Sequence, residues 1–309
     1  MASKVNFPNV FDVCAIGHIT KDTLRIKNSE TEQPGGAAYY FSMALKNLGS
    51  NIALVTKATE RDKEFLLKEL IVDNTSIFYR NSPETTAFEN IYPYPENLDV
   101  RIQNVTSVAE PFNIQDIPDI HSRIYHLGPL TKGDIPVEIL EYLSKKGKIS
   151  LDVQGFLRKI ETGRVQSTNW EDKEEGLTYV SILKADEDEA KILSGCDNRK
   201  EAAVKLSAYG IDEVIITRGS SGSLIWSKEG FYSIPSFPPR TIEPDPTGCG
   251  DTYMAGYIYK RLRAFSVEES GRFAAALSSL KLERPGVFRG CEEDVRNFLE
   301  SQSIKESST

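Results

Sequence analysis

The 309-residue chain has few cysteines, few histidines and no long apolar run. Its four cysteines, Cys14, Cys196, Cys249 and Cys291, stand far apart and form no C-x-x-C pair. That speaks against a zinc site and for a reducing compartment. No apolar stretch approaches the roughly 18 residues that cross a bilayer, and Met1-Ala2-Ser3-Lys4 runs into a strand-like segment without an apolar leader. A soluble, cytoplasmic protein with no membrane partner is expected. Positive charge is also short: 37 Lys and Arg against 45 Asp and Glu leave a net charge of -8. A phosphate backbone needs a basic stripe, so no nucleic-acid partner is expected. Two glycine signatures are missing as well. G-x-x-x-x-G-K-[ST] occurs nowhere, and the third glycine of G-x-G-x-x-G would fall at Tyr253, which disfavours hydride transfer.

What is present is an alternation of strands and helices in an ordinary globular composition, 39% hydrophobic and 27% charged. The apolar run from Val10 to Gly17 reads as a buried strand of a parallel sheet. Thr23 to Lys27 alternates as a half-exposed strand does. Helical spacing follows Gly35-Gly36 from Ala37 to Leu48 and stops at Gly49. Strands are expected at 52–56, 123–127, 149–153, 180–183, 214–217, 223–226 and 230–234. Helices are expected at 60–72, 135–145, 187–193, 199–209, 252–263, 267–281 and 292–299, with a frayed tail at 301–309. This pattern is that of an α/β fold, a three-layer α/β/α sandwich on a mostly parallel sheet. The segment 85–108 differs. Phe88, Ile91 and Tyr92 form one extended run and Val100, Ile102 and Val105 another, with Pro93, Pro95 and Asn97 between them as in a hairpin. Together with 11–27 it reads as a small sheet packed to one side. Ligands in such folds bind beyond the carboxyl ends of the strands, where loops 17–22, 34–36, 128–133 and 218–222 converge.

The chemistry concentrates in Asp245-Pro246-Thr247-Gly248-Cys249-Gly250-Asp251. A Gly-rich turn that opens a helix gathers free backbone N–H groups, and the helix dipole adds positive charge, so the turn suits an anion. Asp251 lies in the first helical turn, where that field favours its ionised form. A carboxylate beside an anion site is what phosphate transfer to a hydroxyl requires. A lone G-x-G would more often be a plain turn with a capping Asp; the complete string reverses that preference.

D-P-T-G-C-G-D resembles the D-T-x-G-A-G-D signature of the ribokinase family, the PfkB carbohydrate kinases. Further matches follow in order over nearly the whole chain. G-G-A-A-Y-Y-F-S-M-A-L-K-N-L-G at 35–49 is similar to the family's N-terminal Gly-Gly helix. Lys184-Ala185-Asp186-Glu187-Asp188-Glu189 is similar to its N-x-x-E motif, with Asp186 in place of Asn. Thr217-Arg218-Gly219-Ser220-Ser221-Gly222 resembles the T-x-G-x-x-G turn, and Arg284-Pro285-Gly286 a common ending of the penultimate helix.

The resemblance implies that Asp251 is the base for the attacking hydroxyl and that the amides of Gly248, Cys249 and Gly250 form the anion hole. Cys249, where relatives often carry Ala, reads as a small space-filler in preference to a reactive thiol. Asp186 and Glu189 would join a water-mediated Mg²⁺ and phosphate network; the alternative is an acidic first turn suited to its own dipole. Asp22, Gly35, Gly36 and Tyr40 would meet the substrate. For Asp22 a solvated loop position weighs equally, for Gly35-Gly36 the alternative is a plain helix start, and Tyr40 departs from the usual Asn. Arg218, Gly219 and Gly222 would face the nucleotide phosphates. His18 and His126 receive no role, and the polar segment 151–158, where a strand meets the cleft, is a candidate for selecting substrate in a way the sequence does not specify.

The expected protein is one ribokinase-like domain over 1–309, with a β lid from insertions at about 18–34 and 85–110. It would use ATP and Mg²⁺ to phosphorylate a small sugar or polyol; whether a monovalent cation is also required is left open by the sequence. A nucleoside kinase of the same fold and a catalytically silent ligand-binding protein are the alternatives. Family lids often pair between subunits, which implies a homodimer through the lid.

Overall fold

The computed structural model describes residues 10–26, 29–71, 74–92, 102–241 and 245–306. Up to the second sheet's hairpin the strands are β1 (Phe11–Ile16), β2 (Thr20–Ile26), β3 (Ser29–Gly35), β4 (Ile52–Ala58), β5 (Thr75–Asn81), β6 (Ala87–Tyr92) and β7 (Ile102–Ser107). They continue as β8 (Ser122–Leu127), β9 (Lys148–Asp152), β10 (Arg158–Glu161), β11 (Arg164–Ser167), β12 (Ile182–Asp186), β13 (Glu213–Thr217), β14 (Ser223–Ser227) and β15 (Gly230–Ile234). The helices are α1 (Ala37–Asn47), α2 (Lys63–Leu67), α3 (Val137–Ser144), α4 (Lys173–Gly176), α5 (Glu187–Ser194), α6 (Arg199–Ser207), α7 (Cys249–Arg261), α8 (Val267–Leu282) and α9 (Glu292–Glu306).

Nine strands form one sheet in the order β15-β14-β13-β12-β9-β8-β1-β4-β5. The seven from β13 to β5 run parallel, and β14 and β15 add an antiparallel edge. Successive side chains of a strand point to opposite faces. Val13 and Ala15 of β1 accordingly enter one core, with Phe41, Met254 and Leu277 of α1, α7 and α8. Cys14 and Ile16 enter the other, with Ile139, Leu140 and Leu206 of α3 and α6. Two cores on one sheet make the three-layer α/β/α sandwich, and burial on both faces explains why its strands read as continuous apolar runs.

The second sheet has six strands in the order β10-β11-β7-β6-β2-β3. The expected hairpin is there as β6 and β7, paired antiparallel; its turn residues Pro93, Pro95 and Asn97, and Val100, lie outside the described residues. So do Lys27, Val72, the end of the tail and part of the 235–246 linker. Four strands go beyond the sequence reading. β3 is polar and mostly exposed, and is held by in-register backbone pairing with β2. The hairpin β10–β11 turns at Thr162-Gly163, both at positive φ, and joins the sheet through β7. In the main sheet, β5 pairs with β4. Conversely, the helix expected over 60–72 shrinks to α2. Asp62 at its N-cap spends its carboxylate on the hydroxyls of Thr59 (2.8 Å) and Thr85 (2.7 Å), so the helix starts without a side-chain cap.

Candidate active site

The turn leading into α7 is the centre of the site. Gly248 is its N-cap, in the left-handed region at φ 74°. A methyl group there would collide with the ring of Tyr40, which lies against the turn. Both constraints demand glycine. The first α7 bond runs from the Thr252 amide to the Gly248 carbonyl at 2.9 Å. Of the three expected anion-hole donors, the Cys249 amide already gives its proton to the Pro246 carbonyl at 3.2 Å. No partner is found among the described residues for the amides of Gly248 and Gly250. The Cys249 thiol sits against the carbonyls of Asp245 and Ser278, 3.7 and 3.8 Å away. Burial pushes it up to about 11, which favours the neutral thiol over the thiolate.

Asp251 opens on a cavity of about 380 Å³ that Asp22, Gly36, Tyr40, Gly248 and Gly250 also line. Its carboxyl is pushed up to about 7, first by burial and then by the charge of Asp152, against the opposing pull of Lys184 and Arg158. A carboxyl poised there is suited to take a hydroxyl proton near neutral pH. Asp22 lies on strand β2 and not on a loop, and is buried at 6% exposure. Gly35 packs beneath it: a Cβ at Gly35 would strike its carboxylate. Gly36, at φ 90°, caps α1. The hydroxyl of Tyr40 is buried and has no hydrogen-bond partner among the described residues.

Three more charged groups face this cavity: Asp152 and Arg158, which the sequence reading held only as members of a polar segment near the cleft, and Lys184, to which it gave no part. Lys184 and Asp152 are cross-strand partners in β12 and β9 and pair at 2.9 Å. The Lys184 ammonium lies within 3.3 Å of the point a Cβ on Gly250 would occupy, at the edge of the anion turn. Burial works against its charge, but Asp152, Glu189 and Asp251 outweigh that and hold it above its ordinary value. A lysine inside the apolar strand I-L-K-A-D was the available signal, since Lys is almost never fully buried unless paired.

The acidic pair ahead of α5 is occupied differently. The Asp186 carboxylate accepts the Glu189 amide at 2.8 Å and the Glu189 carboxylate accepts the Asp186 amide at 2.7 Å, a capping box. Neither residue lines the cavity, and one oxygen of each stays outside the box. Burial, with Asp152 and Asp186, pushes the Glu189 carboxyl up against the pull of Lys184. Among the described residues no group of three or more His, Cys, Asp or Glu is placed to hold a metal. His18 stacks on Phe112 and His126 on Phe41, both within the core.

A second cavity, about 410 Å³ and mainly apolar, is lined by Gly219, Gly222, Phe237, Pro238, Ala275 and Leu282 among others. Arg218 does not line it; its guanidinium turns to Glu187 at 2.9 Å. The two cavities share Pro246 and Gly250 and so meet at the N-terminus of α7.

An α/β/α sandwich with two small-molecule cavities meeting at an anion turn, and a carboxylate beside it, defines a phosphotransferase with an alcohol acceptor. Residues 141–294 match the pfkB family of carbohydrate kinases. The cytidine kinase of Thermococcus kodakarensis is 28% identical over 85% of this chain and 93% of its own length. The inositol 3-kinase of Arabidopsis thaliana is 25% identical over 89% of this chain and 74% of its own. Among solved structures, a pyrophosphate-dependent kinase in the ribokinase family, complexed with a pyrophosphate analog and myo-inositol, superposes with a TM-score of 0.80. It is 28% identical over 92% of this chain and 99% of that one. The chain carries a pfkB family carbohydrate kinase domain and has ribokinase-family relatives and structural neighbours along most of its length.

Proposed function

We propose that this chain is an ATP-dependent kinase that transfers the γ-phosphate to a hydroxyl of a small sugar or polyol. The observation that carries the reading is the junction of a polar and an apolar cavity at Pro246 and Gly250, with Asp251 on the polar side. The acceptor occupies the polar cavity, where Asp22, Gln103, Gln154 and Arg158 supply hydroxyl readers. Asp251 takes the proton as the hydroxyl oxygen attacks the γ-phosphorus and the bond to the ADP oxygen breaks. The free amides of Gly248 and Gly250, with the nearby Lys184 ammonium, hold the phosphoryl oxygens; one such donor is worth roughly 3–4 kcal/mol. Gly219 and Gly222 border the donor.

The pyrophosphate-dependent neighbour raises the question of the donor. An apolar cavity lined by Phe237, Pro238, Ala275 and Leu282 has no use for pyrophosphate and suits a nucleoside moiety, which favours ATP. Mg²⁺ would arrive with the donor phosphates; the oxygens that Asp186 and Glu189 keep outside the capping box fit contact with it through water, and it would neutralise phosphate charge. The six-stranded sheet sends Asp22, Phe88 and Gln103 into the acceptor cavity and would act as its lid, excluding water. Its exposed edge strand β3 is a candidate seam for a homodimer. No described helix is long and apolar enough to cross a membrane, and free cysteines suit the cytoplasm.

A nucleoside acceptor is the second reading, favoured by the cytidine kinase relative and by Phe88 and Tyr40 in the acceptor cavity, where a base could stack. ADP formation from ATP, with pyrophosphate as the rival donor, against sugars, polyols and nucleosides decides among these. ADP with a sugar or polyol supports the proposal. Turnover confined to nucleosides selects the second reading, and ligand binding without turnover marks a silent binding protein.

A further inference from the structure

Beneath the anion turn lies a buried cation that the mechanism above does not use. Lys281, in the last turn of α8, has a side chain at 0% exposure. A lysine in a last helical turn usually reaches solvent and complements the dipole. This one points inward. Its Nζ donates to the backbone carbonyl of Asp245 at 2.8 Å and to the Asp245 carboxylate at 3.0 Å. The same carboxylate accepts the Gly286 amide at 3.1 Å through one oxygen and the Thr247 amide at 3.0 Å through the other. Ser278, one helical turn earlier, donates to the Cys249 carbonyl at 2.9 Å. The ammonium also lies 5.8 Å from the centre of the Tyr40 ring, the ring that packs on Gly248. Asp245 is thus a knot that ties the start of the anion turn to α8 and to the loop after it, and Lys281 is the charge at its centre.

A backbone carbonyl beside a carboxylate is a hard-oxygen donor set suited to a hard cation. The monovalent cation that the sequence left open does not fit at this knot, because an ammonium fixed to the chain already holds the oxygens. Ammonium and potassium are similar in size and charge, so the substitution conserves the electrostatics. We propose that Lys281 is a built-in cation: it shapes the anion turn and adds positive charge beneath it, which makes the protein independent of potassium and sodium. Lys281 is a positioning residue, acting on the phosphoryl group through Asp245, Thr247 and Gly248. Its effect on rate rests on the kinase reading above; its effect on cation binding does not.

The test compares the protein in potassium, sodium and choline chloride at equal ionic strength. For the unaltered chain the melting temperature should agree in all three salts, and ADP formation should differ by less than twofold. Lys281→Ala should lose at least tenfold in kcat, and potassium chloride or ethylammonium should restore part of that loss and raise the variant's melting temperature where choline does not. Lys281→Arg, which keeps the charge, should fall between the two. A potassium-specific rise in melting temperature, or a fivefold activation by potassium, in the unaltered chain overturns the proposal. So does a folded, slowed Lys281→Ala that neither potassium nor ethylammonium restores, or one as active as the parent. If Lys281→Ala does not fold, the three-salt comparison on the unaltered chain still decides. If no acceptor is turned over, the kinase reading fails while the melting series continues to test the cation.

Discussion

Lys184 and Asp152 pair at 2.9 Å across neighbouring parallel strands, with side chains only 6% and 4% exposed. The pair lies between the acceptor cavity and the anion turn, and both members act electrostatically on Asp251, in opposite directions. Removing one member of such a pair strands a buried charge and costs about 3–5 kcal/mol, more than the pair itself contributes. Lys184→Met should therefore unfold at markedly lower denaturant, and Asp152→Asn combined with Lys184→Met should recover most of the loss. Equal stability of the single and double variants in urea titrations would show that the pair is not coupled.

The pH dependence follows from the direction of the Asp251 shift. Its carboxyl sits at about 7, raised by burial and by Asp152, and only the carboxylate can take a proton. The limb of kcat/KM should rise with pH through about 7 and then flatten. In Lys184→Met the loss of a lowering charge should move that limb upward. A profile already flat at pH 5 contradicts this reading.

The same shift bears on stability with the opposite sign. A carboxyl raised above its unfolded value destabilises the fold above about pH 7, and the penalty disappears as the pH falls from there toward the unfolded value near 4. Asp251→Asn should be more stable than the parent at pH 8 by about 1–2 kcal/mol, a value discounted because the carboxyl faces a solvent-filled cavity. At pH 5 the advantage should shrink. Melting curves of both proteins at the two pH values measure it.

Gly248→Ala meets the Tyr40 ring and requires a left-handed alanine. It should cost about 1–3 kcal/mol of stability and most of the turnover. Pairing it with Tyr40→Ser removes the collision but not the backbone strain, so it should recover part of the stability. A double variant no better than Gly248→Ala alone would place the whole penalty in the backbone.

Filling the apolar cavity separates donor from acceptor. Ala275→Leu intrudes on the space assigned to the nucleoside moiety of ATP. The KM for ATP should rise at least tenfold while the acceptor KM stays within twofold. An unchanged ATP KM would move the donor elsewhere.

Much of this architecture was legible because the physics behind it is local. Buried parallel strands read as apolar runs, amphipathic helices as spaced apolar residues, and the turn at 245–251 as glycines before a helix. Strand β3 and the hairpin β10–β11 escaped because they are mostly polar and none is fully buried; apart from Ile160 and Val165, which rest on the small core, they are held by backbone pairing, which leaves little side-chain pattern. Asp22, Gly36, Tyr40, Gly248 and Asp251, all singled out in the sequence, line one cavity. Arg218 lies outside both cavities, its guanidinium turned to Glu187 at the end of the neighbouring strand β12. The partnership of Lys184 with Asp152 depends on the register of β12 against β9, which no single segment encodes. Lys281 was invisible for a different reason: its place in the last turn of a helix is that of an ordinary solvated lysine.

The central claim is that Asp251 is the base beside the anion turn. The most direct measurement is ADP formation by Asp251→Asn at saturating ATP and acceptor, on protein shown to be folded and to bind both. Turnover should fall by about 10²–10⁴-fold, the typical worth of a general base, with melting temperature at or above that of the parent. Near-normal turnover in this variant would contradict the account.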